Sequence, residues 1–279
     1  MRIRLIAMDL DGTLLTRDSR LPEEHRAAIA RARAAGVDLV LVTGRSWRGT
    51  RPFYQALGMT GPAICYLGAL MVADGTGRML RYRPLAAGAW EALRDFAVTE
   101  RLAVTACMGT DQAVADGRLP AEGLVAADLA FATCPADDFR GWEDWNPYTE
   151  IAPDLAPCQV PPVMAAVYGD RAVRRVLERF PRGLPESQFD LSDHIAGETV
   201  LHVWHAGTNK GRALAEFCRL QGYRPEEVAA IGDAAMDISM VRFAGLGAAV
   251  PAADPALLAA ADLVATPVEL IDRVLSQKG

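Results

Sequence analysis

The chain predicts an α/β fold: a parallel-sheet core into which a separate α+β module is inserted. Three observations carry this. Over about residues 1–84, short and nearly continuous apolar runs alternate with helix-length segments, the pattern of strands buried on both faces of a parallel sheet. Between about 85 and 203, strand-like runs neighbour one another in sequence, which favours an α+β arrangement. From about 204 to 279 the first pattern returns, so residues 1–84 and 204–279 form one discontinuous core and 85–203 the insertion.

Ile3–Met8 reads as a first buried strand. Leu21-Pro22-Glu23-Glu24 then opens a helix that runs to Ala35, where Gly36 ends it. Asp38–Val42 is a second strand, a helix follows over about Trp47–Leu57, and Ala63–Leu67 is a third strand. Asp74-Gly75-Thr76-Gly77 has the composition of a hairpin turn. In the insertion, a helix over about Ala86–Arg101 precedes strands Ala103–Met108 and Gln112–Ala115 and an irregular Pro- and Trp-rich stretch over about 117–160. Strand Val163–Tyr168, helix Asp170–Phe180 and strands near Ser187–Asp193 and Glu198–Trp204 complete it. The core resumes with helix Lys210–Gln221, strand Val228–Ile231, a helix ending at Phe243, strands near Gly247–Val250 and Leu263–Ala265, and a closing helix over 268–276.

Composition narrows the function classes. Apolar residues make up 51% and charged residues 23% of the 279 positions, an ordinary balance for a globular protein with a large core. A net charge of −6 with no long Lys/Arg run argues against nucleic acid as the main partner. The five cysteines are scattered without a CxxC spacing, so neither a zinc site nor a disulfide framework is indicated. No apolar stretch reaches the roughly 18 residues needed to span a bilayer. No charged leader precedes the first strand, and a reducing cytoplasm is the expected setting.

Four features fall at the carboxyl ends of predicted core strands or at a helix start, where open α/β sheets bind ligands. They are Asp9/Asp11, Thr43-Gly44-Arg45, Lys210 and Asp233/Asp237. In extended backbone, positions i and i+2 point the same way, roughly 7 Å apart, so Asp9 and Asp11 would face one crevice. Facing carboxylates repel, which calls for a divalent cation between them or a raised pKa on one. Singly, each feature has a structural explanation: Thr43 as a strand-end cap, Lys210 as a solvated helix-start lysine, Asp233 as a helix N-cap. Together and in this order they are poorly explained by chance and point to an acidic metal or phosphoryl site.

The arrangement resembles the haloacid dehalogenase superfamily, and within it the Cof-type phosphatases, along the whole chain. The motifs that carry the likeness are Asp9–Leu15, Val42-Thr43-Gly44-Arg45, Asn209–Leu214 and Gly232–Met240. The resemblance implies a Rossmann-like core with an inserted C2-type cap domain and a Mg²⁺-dependent phosphatase acting on a small phosphorylated metabolite, such as a sugar phosphate or phosphorylated cofactor. It implies Asp9 as nucleophile, forming an aspartyl-phosphate, and Asp11 as acid and then base. Thr43 and Gly44 would bind phosphoryl oxygens and Lys210 would offset negative charge. Asp9, the Asp11 carbonyl and Asp233 would hold the metal, with Asp237 behind them.

Three positions depart from the pattern: Leu67, Met236 and Pro251 stand where the family usually has Asn. They keep open a weakly active or inactive protein that binds phosphometabolites in a regulatory role, and a phosphotransferase or mutase is a third reading. Arg45 and the aromatics Trp142 and Trp145 are substrate candidates; packing in the module's own core or at its seam with the parallel-sheet core is the favoured reading of the two Trp side chains. A monomer or weak homo-oligomer is expected, with no nucleic-acid or membrane partner.

Overall fold

A computed structural model of the chain describes residues 2–16, 18–107, 129–132, 150–152, 161–195 and 198–277. It divides into two compact units: Met1–Arg45, Thr50–Thr76 and Asn209–Gly279 form one, and Ser46–Gly49 with Gly77–Thr208 form the other.

The first unit begins with strand β1 (Leu5–Met8), all four residues buried. Helix α1 (Glu23–Ala34) carries Glu23 and Glu24 in its first turn and Arg31 and Arg33 in its last, charges that complement its dipole. It buries Ala28, Ile29 and Ala32, and Gly36 follows at φ +69°, the left-handed stop expected of it. Strand β2 (Asp38–Val42), helix α2 (Trp47–Ala56) and strand β3 (Ala63–Cys65) come next. The third apolar run was expected to stay extended to Leu67. It stops at Cys65 because Tyr66 and Leu67 both take left-handed backbone, at φ 48° and 55°, in a 3₁₀ turn. Strand β4 (Leu70–Val72) then returns antiparallel to β3, with Met71 opposite Ile64.

In the second unit, strand β5 (Met79–Tyr82) precedes helix α3 (Ala87–Glu100) and strand β6 (Val104–Cys107). Strands β7 (Leu129–Ala132) and β8 (Glu150–Ala152) fall inside the stretch read as irregular, and the pairing of β7 with β6 accounts for them. Their few β-branched residues and the Pro- and Trp-rich surroundings hid them. Strand β9 (Met164–Tyr168), helix α4 (Asp170–Arg179), strand β10 (Ser187–Ile195) and strand β11 (Glu198–His205) follow. The sheet order is β10-β11-β9-β6-β7-β8, antiparallel except for β7 against β8. Alternation sends Val104, Ala106, Ala165, Val167, Leu201 and Val203 into one cluster with Trp90 and Leu93 of α3 and Val173 and Val176 of α4. His202 and Trp204 fall on the other register of β11, their ring centroids 6.4 Å apart. The expected strand Gln112–Ala115 lies outside the described residues.

The chain returns to the first unit through helix α5 (Lys210–Gln221), strand β12 (Val228–Gly232), helix α6 (Ile238–Phe243), strand β13 (Leu246–Ala249), helix α7 (Pro255–Ala260), strand β14 (Leu263–Val264) and helix α8 (Pro267–Ser276). The strands of this unit run β14-β13-β12-β1-β2-β3-β4. β1 pairs in parallel with β2 on one side and β12 on the other, Leu5 facing both Asp38 and Val228. Connections leave β1 in one direction and β12 in the other, so the carboxyl end of β1 is the switch point of the sheet, the place where open α/β sheets bind ligands. Among the described residues no helix is long and apolar enough to cross a membrane.

Candidate active site

Asp9 sits directly after β1, and its N–H extends the ladder by donating to the Ile231 carbonyl at 3.1 Å. Its carboxylate is buried. The chain then turns sharply: the Thr13 and Leu15 N–H groups both donate to Leu10 O. Gly12 permits this, at φ +74°, and a side chain there would collide with the Asp233 carboxylate. The Thr13 hydroxyl donates to Asp233 Oδ1 at 3.4 Å, so the turn that follows Asp9 also supports Asp233.

Lys210 is the first residue of α5, whose start is fixed by Asn209: its side-chain oxygen accepts the Arg212 N–H at 2.8 Å. The Gly211 N–H donates to Ser239 Oγ at 2.9 Å, which ties α5 to the start of α6. Buried Lys210 then donates hydrogen bonds of 2.6 Å to Asp9 Oδ1 and to Asp237 Oδ1. The other Asp237 oxygen accepts the N–H groups of Asp233 and Ala234, each at 3.0 Å, so the loop after β12 closes around that carboxylate. Gly232 is required here because a Cβ would overlap Asp237.

Carboxylate oxygens of Asp9, Asp233 and Asp237 lie within 4.8 Å of one another. Three acids share one ammonium, an imbalance that is costly in a buried setting. Burial pushes the Asp9 carboxyl well above the usual carboxylate range; Asp237 and Asp233 push the same way and Lys210 opposes them. Asp233 is raised too, by burial and then by Asp237. Burial alone would lower the Lys210 pKa, but Asp237 and Asp9 overcome it and hold the ammonium charged. A set made only of hard carboxylate oxygens, short of positive charge, suits a hard divalent cation such as Mg²⁺.

Asp11 does not share the crevice contacts of Asp9. β1 ends at Met8, and the extended geometry that would align the two side chains is lost in the turn. Asp11 is half exposed and accepts two hydrogen bonds from Arg45, at 2.7 Å from Nε and 2.5 Å from Nη2. Thr43 is fully buried at the end of β2, its hydroxyl accepting the Arg45 N–H at 3.1 Å. Gly44 lies beneath the Leu67 side chain, 3.4 Å from where a Cβ would stand. Asp9, Asp233, Asp237 and Lys210 are thus drawn together, while Thr43, Gly44, Arg45 and Asp11 form an adjoining group. Trp142 and Trp145 lie outside the described residues. The sequence reading missed Ser239 and Phe53, the latter stacked 5.0 Å under the Arg45 guanidinium. Helical spacing shows that such residues face inward; nothing local names their partners.

A sequence model of the haloacid dehalogenase-like hydrolases matches residues 6–127 and 168–272. The pyridoxal phosphate phosphatase YbhA of Escherichia coli is 32% identical over 268 residues, covering 95% of this chain and 93% of that protein. A 5-amino-6-(5-phospho-D-ribitylamino)uracil phosphatase of Bacillus subtilis, YwtE, is 23% identical over 87% of this chain and 86% of its own. Among solved structures, a haloacid dehalogenase-like hydrolase from Bacteroides thetaiotaomicron superposes with a TM-score of 0.76 at 21% identity, covering 99% of this chain and all of the other.

Proposed function

Because the chain belongs to the family of haloacid dehalogenase-like hydrolases, we propose that it is a Mg²⁺-dependent phosphatase that cleaves a small phosphorylated metabolite through an aspartyl-phosphate. The observation that carries this reading is the buried Lys210 bridging Asp9 and Asp237, with Asp233 alongside, at the switch point of the sheet.

In this reading an Asp9 oxygen attacks phosphorus and the bond to the leaving oxygen breaks, Asp11 supplying the proton that oxygen needs. Water then attacks the aspartyl-phosphate, gives its proton to Asp11, and releases Asp9 and inorganic phosphate. Lys210 keeps the nucleophile oriented and offsets charge as the anionic phosphoryl group approaches. Thr43 already accepts from Arg45, so its own hydroxyl proton and the Gly44 N–H are the donors assigned to phosphoryl oxygens. Asp9 and Asp233, with the Asp11 carbonyl, would hold Mg²⁺, and Asp237 would steady Lys210 and the metal loop behind them. The bound cation would neutralise charge on the acids and on the transferring phosphoryl group.

Residues 85–203 are proposed as the cap that reads the leaving group. Likeness to YbhA over nearly the whole chain makes pyridoxal 5′-phosphate, a planar heterocyclic phosphate ester, the first substrate to try, with reaction in the cytoplasm. One observation favours a second reading, a phosphometabolite-binding regulator: Leu67 places an apolar side chain against Gly44 where the resemblance calls for an amide. A panel of phosphate esters assayed with Mg²⁺ separates the two. Turnover that Asp9→Asn abolishes supports the phosphatase; ligand binding by a chain that turns over none of the panel supports the regulator.

A further inference from the structure

We infer that Arg45 is a positioning residue, holding the acid–base carboxylate of Asp11 through a two-pronged ion pair. This inference rests on the acid–base role proposed for Asp11. Asp11 stands beyond the end of β1 with its side chain about half exposed, at 51%, so burial does not fix its rotamer. Arg45 does: Nε reaches Oδ2 at 2.7 Å and Nη2 reaches Oδ1 at 2.5 Å. A planar guanidinium gripping both oxygens sets the plane of the carboxylate as well as its place, which a lysine cannot do.

Arg45 is itself held from several sides. Its N–H donates to the Thr43 hydroxyl, its guanidinium lies over the Phe53 ring, and Nη2 also donates to Ser19 Oγ at 3.0 Å. One three-residue turn thereby serves two ends of the reaction, with Thr43 and Gly44 for the phosphoryl oxygens and Arg45 for the proton carrier. In the acid form of Asp11, one oxygen bears the proton for the leaving group while the other keeps its contact with Arg45. In the base form both oxygens are held, aimed to take the proton of the attacking water. The Asp11 end of the pair is half exposed, so solvent screens part of what the pair contributes to folding. Small errors in placing an acid cost about 10²-fold in rate.

The test compares p-nitrophenyl phosphate, whose nitrophenolate leaves without a proton, with glycerol 2-phosphate, whose alkoxide needs one. Asp11→Asn should lose about 10²-fold more kcat/KM on the alkyl ester than on the aryl ester, because kcat/KM reads only the steps up to the aspartyl-phosphate and not its hydrolysis, which is common to both. Arg45→Met should reproduce that bias with KM little altered, Arg45→Lys should recover part of the loss, and Arg45→Met added to Asp11→Asn should cost nothing more. A raised KM at preserved kcat would make Arg45 a substrate contact. Equal loss of kcat/KM on both esters, or additive loss in the double variant, would make its role purely structural; each result overturns the inference. If Asp11→Asn shows no bias, or the native chain cleaves neither ester, the acid–base assignment itself fails and this inference with it.

Discussion

Lys210 and Asp9, 201 positions apart in the chain, are joined by a 2.6 Å hydrogen bond between two buried, oppositely charged groups. The bond is asymmetric in what it supports. Removing the ammonium strands Asp9 and Asp237 together; removing the Asp9 charge leaves Lys210 with Asp237. Lys210→Met should therefore lower stability by about 3–5 kcal/mol, the range for breaking a buried ion pair. Asp9→Asn should stay within about 1 kcal/mol of the native chain or exceed it, while losing turnover. Urea unfolding of both variants checks the pair, and equal destabilisation would contradict it.

Divalent cation binding should show in thermal unfolding without any substrate. At about 100 times its Kd, Mg²⁺ should stabilise the chain by about 2.7 kcal/mol. Asp233→Asn should remove most of that shift. Gly12→Ala should weaken it too, because a Cβ at 12 drives into the Asp233 carboxylate. A shift unchanged in both variants would place the cation elsewhere.

Arg101 ends α3 in left-handed backbone, at φ 52° and ψ 50°, on an exposed position. An L-residue held there costs roughly 1 kcal/mol relative to glycine. Arg101→Gly should raise stability by up to about 0.6 kcal/mol once the unfolded chain's gain in freedom, about 0.4–1 kcal/mol, is subtracted. Chemical denaturation reads this directly, and a fall would mean the Arg101 side chain has an energetic role in the folded chain.

Glu227 gives stability an acid limb. The Arg224 N–H, then the Arg224 and Arg4 side chains, hold its carboxyl down at about 2. The folded value lies below the unfolded one of about 4.3, so the stabilisation is complete above that value and is lost as pH falls towards about 2. The stability gap between the native chain and Glu227→Gln should be open at pH 6, narrow at pH 4 and vanish near pH 2. A gap that stays constant across that range would show that Glu227 does not titrate as described.

Local signals read best where one residue type decides the backbone. Asn209 before α5 and Gly222 after it mark a helix whose ends, Lys210 and Gln221, match the expectation. Asp38–Val42 was equally plain as a continuous apolar run. The break after Cys65 was not, because Tyr66 and Leu67 are apolar and bulky, and only tertiary contacts hold such residues at positive φ: Leu67 N–H donates to Thr43 O and Tyr66 N–H to Arg45 O. For the site, residue types and order indicated which groups would gather. They could not indicate that Asp11 would turn to Arg45, since that contact depends on how the turn after β1 meets the end of β2.

The central position of β1 has a consequence for how the protein is made. Its β12 edge is closed by a segment at the far end of the chain: Arg4 and Glu227, 223 positions apart, flank that junction. At ribosomal rates of roughly 5–20 residues per second, β1 waits on the order of ten to forty seconds with one apolar edge open. Asp9 spends the same interval without Lys210 or Asp237. A nascent chain of this protein is thus open to edge pairing with its neighbours on a polysome, and the cluster of Asp9, Lys210 and Asp237 assembles only after the 201 positions that separate Asp9 from Lys210 have been made.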